Sequence, residues 1–123
     1  MNKVRPKNLD LLTIRFPLPA IVSILHRISG VVLFILIPVF IALFQYSLTY
    51  TGFEHLQAIF HTPLAKFLLW LVLLPFVYHL VAGIRHLLTD MHIGTTLAGG
   101  RLSSQAVFIA FVALSVLLGV WIW

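Results

Sequence analysis

Three runs of this chain, residues 24–48, 63–88 and 103–123, are each apolar enough and long enough to cross a lipid bilayer. A helix rises about 1.5 Å per residue, so roughly 20 residues span the hydrocarbon core. Hydrocarbon offers backbone amides no partner, and a run that crosses it must satisfy its own hydrogen bonds as a helix. The expectation is an all-α membrane protein: three transmembrane helices in one anchor domain over residues 1–123. Hydrophobic side chains make up 61% of the residues and charged ones 9%, a balance that excludes an ordinary water-soluble domain of this size.

Local signals mark the helix starts. "HTPLAKF" offers Thr62 as N-cap with Pro63 in the first turn, and "RLSSQAV" offers Ser103 or Ser104 in the same role. Pro17 and Pro19 are expected to delay the first helix, and Pro38 and Pro75 fall inside helices, where each removes a backbone bond. Lys3, Arg5, Lys7, Arg15 and Arg27 precede or open the first span, and Arg85 and Arg101 bracket the second connection. "TYTGFEHLQAIFHT", between the first two spans, holds no Lys or Arg. The positive-inside rule then makes the N-terminus and second connection cytoplasmic and the C-terminus periplasmic. Tyr46, Tyr50, Trp70, Trp121 and Trp123 all fall toward the outer interface, as an aromatic belt would. The segment 1–22 is read as cytoplasmic, either docking on a soluble partner or a solvated tail. No cleaved signal peptide is expected.

The formal net charge of +5 raises nucleic acid as a partner, but the eight Lys and Arg flank apolar runs instead of sharing one face. Nucleic acid is therefore excluded. With no cysteine, thiolate-bound zinc, Cys-ligated iron–sulfur clusters and covalently attached haem are excluded as well, and any metal must rely on histidine.

Polar residues gather at one rim. On a helix, Ser23, Arg27 and Gly30 fall within roughly 60° of one another with His26 alongside. That arrangement suits either inside-rim anchoring with a histidine bonded to a neighbouring helix, or a binding site. In "YHLVAGIRHLLTD", His79 and His86 share a face about 10 Å apart along the axis, with Gly83 one turn beyond His79. His79 alone lies deep in the apolar run. It is open to two readings, an interhelical hydrogen bond or a haem ligand with Gly83 leaving room for the macrocycle. His26, Arg85 and His86, nearer the rim, suit haem propionates, while Asp90 suits a salt bridge with Arg85 or His86, or proton traffic. His55, His61 and His92 read as solvated loop residues. With one deep histidine and two axial positions on a low-spin haem, the second ligand must come from another chain.

"RPKNLDLLTIRFPLPAIVSILHRISGV" followed by "YHLVAGIRHLLTDMH" resembles the cytochrome b556 membrane-anchor subunits of bacterial succinate dehydrogenase, respiratory complex II, over essentially the whole chain. Pro75, one turn before His79, departs from that pattern. The resemblance implies that His79 is one axial ligand of haem b, the other coming from a small hydrophobic anchor subunit. It implies that Ser23 and Arg27 line the ubiquinone pocket, and that His26, Arg27 and His86 lie near the propionates. FAD and iron–sulfur clusters would belong to a flavoprotein subunit and an iron–sulfur subunit, in a complex of the bacterial inner membrane. Succinate oxidation would then occur on those partners and not on this chain. A fumarate reductase-type anchor or a cofactor-free structural anchor are the alternatives. A transporter is disfavoured because the third span is apolar and the polar positions cluster at one rim.

Overall fold

The computed structural model describes residues 16–123. The described residues form four α-helices: α1 (Leu18–Ser47), α2 (Tyr50–Phe60), α3 (Pro63–Asp90) and α4 (Leu97–Ile122). Three of them, α1, α3 and α4, are long and apolar enough to cross a membrane, while α2 is a short connector. Of the polar segment 1–22, residues 1–15 lie outside the described region, and the remainder opens α1.

The helix starts differ from expectation in instructive ways. Pro17 is the N-cap of α1 and Pro19 sits in its first turn, so the prolines begin the helix instead of delaying it, and α1 starts at Leu18. The reason is that the first turn has no use for the amide a proline lacks. Thr62 caps α3 as expected, its hydroxyl accepting from Ala65 N at 3.3 Å. α4 starts at Leu97 because Thr96 caps it, accepting from Gly99 N at 3.0 Å. Ser103 and Ser104 lie inside α4 and donate back to the Gly100 carbonyl at 3.1 and 2.7 Å. The connection expected to be a loop folds as α2, capped by Thr49. His55 is therefore helical, with Nδ1 3.1 Å from the Tyr46 hydroxyl, and His61 is the C-cap of α2. α3 stops where His92 takes φ 64° and Ile93 N donates to Leu88 O at 3.0 Å, a left-handed turn that closes the last carbonyls.

Helix α3 packs against both α1 and α4, and the latter two also touch each other. The start of α1, the end of α3 and the start of α4 share one end of the bundle, where a Cβ on Gly100 would lie 3.7 Å from Pro19 Cγ. At the other end the Trp70 indole donates to Ser115 O at 2.8 Å, and Gly119 leaves room for its ring. Trp70 thus clamps α3 to α4, whereas Tyr46, Tyr50, Trp121 and Trp123 are exposed. Its indole N–H finds a carbonyl acceptor because Gly119 lets the helices approach there.

The buried core is small: Val22, Tyr78, Ala82 and Val107, with Val81, Phe108 and Phe111 against them. Most large apolar side chains point outward, an arrangement tenable where the surroundings are lipid or other subunits. Small residues set the helix spacing, since association in lipid depends on close packing. Val22 and Ala82 are 0% exposed and leave no slack at the junction. Ala82→Leu is expected to cost about 1–3 kcal/mol by overpacking. A lowered thermal midpoint of the assembled membrane complex, with helix content unchanged, is the measurement that checks it.

Candidate functional site: a histidine cluster between α1 and α3

The Pro19–Gly100 end carries nearly all the polar side chains inside the bundle. Its centre is a set of three imidazoles. His26 of α1 stacks on His79 of α3 with ring centroids 4.0 Å apart and planes 16° from parallel, and His86 lies 5.0 Å from His26 on its other side. The α-helical period brings His79 and His86 onto one face of α3, and packing sets His26 between them. Tyr78 fixes the mutual rotation of the two helices. It is buried, donates to the Val22 carbonyl at 3.2 Å and rests edge-on against Phe111.

The neighbours of these rings are unusually small. A Cβ on Gly30 would stand 3.1 Å from His79 Cε1, and one on Gly83 would stand 3.4 Å from His26 Nε2. The room at Gly83, expected beside His79, is thus taken by the His26 ring, because α1 and α3 approach closely enough for the rings to interleave. His79 is held through one edge. Its Nδ1 is 3.1 Å from the His26 carbonyl and 3.0 Å from Ser29 Oγ, and Nε2 bonds to no described residue. His86 Nε2 is sealed from the surface without a hydrogen-bond partner among the described residues. A buried polar atom left unpaired costs about 1–3 kcal/mol, and such atoms in a native fold point to a group that completes them.

Stacked rings send their in-plane lone pairs side by side, so His26 and His79 do not converge on one ion. Nor do three His, Asp or Glu among the described residues form a metal cage. One imidazole offering a free Nε2, and a second with an orphaned nitrogen nearer the helix end, instead fit a haem: iron on His79, an acidic edge group on His86. The side chains present are compatible with that group.

Ser23 and Arg27 occupy successive turns of α1 at the same end, Ser23 half-buried and Arg27 exposed. Both Arg27 and Arg85 lie within electrostatic range of His86. Arg85, however, turns away from the cluster. It is 8% exposed, and its Nε donates to Ser103 Oγ at 3.1 Å and its Nη2 to the Gly100 carbonyl at 3.4 Å. Arg85 therefore ties α3 to α4 instead of pairing with Asp90, which is left exposed at the end of α3. The cause is rotational, since neighbouring positions on a helix differ by about 100° and His86 already faces α1.

Sequence reasoning missed Ser29, which is 6% exposed and touches His79. A signal existed: Ser29 lies three residues after His26, one turn along the same face.

The chain as a whole is similar to known proteins. Residues 1–118 match the family described as "Succinate dehydrogenase/Fumarate reductase transmembrane subunit". The chain is also 43% identical over 125 residues to the succinate dehydrogenase cytochrome b556 subunit of Coxiella burnetii (strain RSA 493 / Nine Mile phase I), with all of both chains covered. The match over residues 1–118 and the full-length relative, with three helices long and apolar enough to span a membrane, assign the chain to the succinate dehydrogenase/fumarate reductase family of transmembrane subunits.

Proposed function

We propose that this chain is the haem b-binding anchor of a bacterial succinate dehydrogenase and forms part of the site where ubiquinone is reduced. The observation that carries the reading is the meeting of His26, His79 and His86 at the same bundle end as Ser23 and Arg27. The preceding basic segment makes that end cytoplasmic, so the site meets soluble partners on the side where it meets water.

His79 would hold the haem iron through Nε2, with a further ligand supplied by the small hydrophobic anchor subunit. His86, His26 and Arg27 would hold the propionates by charge-assisted hydrogen bonds. Bound there, haem b supplies a one-electron redox site close to the quinone. Arg27 places a permanent positive charge where a quinone carbonyl oxygen gathers negative charge on reduction, and Ser23 adds a hydroxyl donor one turn away. The quinone ring and tail stay in hydrocarbon against the apolar flank of α1. Protons reach the carbonyl oxygens from water at the rim. Succinate oxidation, FAD and the iron–sulfur clusters belong to the flavoprotein and iron–sulfur subunits, and this chain by itself turns over no substrate.

The test is a reduced-minus-oxidised visible spectrum of the complex purified through this chain, with its subunits separated on a gel. Expected are b-type bands and co-purifying flavoprotein, iron–sulfur and small anchor subunits. A complex without a Soret band overturns the haem assignment.

A further inference from the structure

The proton on His79 is dictated by what its Nδ1 faces. A carbonyl oxygen accepts hydrogen bonds and never donates, and the His26 carbonyl stands 3.1 Å from that nitrogen. Ser29 spends its own hydroxyl proton on the same carbonyl, donating at 2.8 Å. The lone pairs of Ser29 Oγ, 3.0 Å from Nδ1, are then what the imidazole meets. With two acceptors converging on it, Nδ1 carries the proton and the Nε2 of the neutral ring keeps its lone pair. Gly30 closes the seat from beneath, since any Cβ there would lie 3.1 Å from Cε1 and the ring would have to shift to make room for it. One turn of α1, His26 to Gly30, thus cups the edge of a side chain that sits 53 residues later than His26 in the sequence.

We propose that Ser29 is the positioning residue for His79: together with the His26 carbonyl it selects the Nδ1–H tautomer and aims Nε2 at the haem iron. The inference rests on the reading of His79 as an axial ligand and deepens it. Its consequence is electronic as well as geometric. A ligating imidazole that donates its other N–H to acceptors gains basicity and favours ferric over ferrous iron. Removing the Ser29 hydroxyl takes away one acceptor and one wall of the seat, so the haem becomes easier to reduce.

The experiment is a redox titration of the b-type bands, with low-spin EPR of the oxidised haem, on the whole purified membrane complex. Variants are Ser29→Ala, Ser29→Thr, Gly30→Ala and His79→Ala. Ser29→Ala is expected to shift the one-electron reduction equilibrium about tenfold toward the reduced form, which is about 59 mV. Ser29→Thr, which keeps the hydroxyl, returns the equilibrium to within about twofold of the original. Gly30→Ala, which keeps the hydroxyl and displaces the ring, changes the low-spin EPR signal. A haem-loaded Ser29→Ala complex with the original potential and EPR signal overturns the proposal. If Ser29→Ala loads no haem, Ser29→Thr decides: a haem-loaded complex near the original potential is expected, and failure of the restored hydroxyl to recover loading is equally fatal. His79→Ala separates the two layers. Unaltered bands in that variant remove His79 as ligand, whereas lost bands beside a silent Ser29→Ala remove the positioning role alone.

Discussion

Replacing His79 by alanine is expected to strip the assembled complex of its low-spin b-type spectrum, with haem content reduced by more than tenfold. Loss of an outer-shell partner of a metal ligand already costs about 10–100-fold in affinity, and loss of the ligand costs at least as much. His26 presents its face to His79 and has its Nε2 against Gly83, and His86 lies on the far side of His26. The vacated seat between Ser29 and Gly30 would also leave the Ser29 lone pairs and the His26 carbonyl without the N–H they now accept. The measurement is a pyridine haemochrome assay alongside the visible spectrum, on complex matched for subunit content. A spectrum identical to the original removes His79 from the iron.

The second large effect is expected at Arg27. Arg27→Ala should lower succinate-dependent quinone reduction by about 10²-fold, the scale set by removing one preorganised donor from a site of developing negative charge. Electron flow from succinate to a soluble dye, drawn off before the membrane site, should be unchanged. The side chain is exposed on α1 and is no part of the buried core, so the helices keep their packing without it. Arg27→Lys restores the charge without the planar fork and should fall between the two. Parallel loss of both activities would place Arg27 in assembly and remove it from the quinone site.

What was legible in the sequence was whatever depends on local composition and period. The three membrane spans follow from runs of apolar residues, and the Thr62 cap from a hydroxyl set before a proline. That His79 and His86 share a face follows from the helical repeat. Where the signal was shorter or mixed, reading failed. α2 is eleven residues, below the length that a bilayer-crossing pattern recognises, although Phe53, Leu56 and Phe60 already recur at helical spacing. The early start of α4 was hidden because Gly99, Gly100 and Arg101 dilute the apolar run that the Thr96 cap precedes.

The sequence by itself determined the solvent, the number of crossings and the residue types at one rim, because these are sums over neighbours in the chain. Only the tertiary structure decided which of those residues meet. It interleaved His26 with His79, turned Arg85 toward Ser103 and away from the imidazoles, and made Ser29 the partner of a histidine fifty residues away. The physical reason is rotation and approach: two helices can present the same polar faces at many angles. Buried Tyr78 on the Val22 carbonyl, with Ala82 and the two glycines beside the rings, admits the one in which the imidazoles stack.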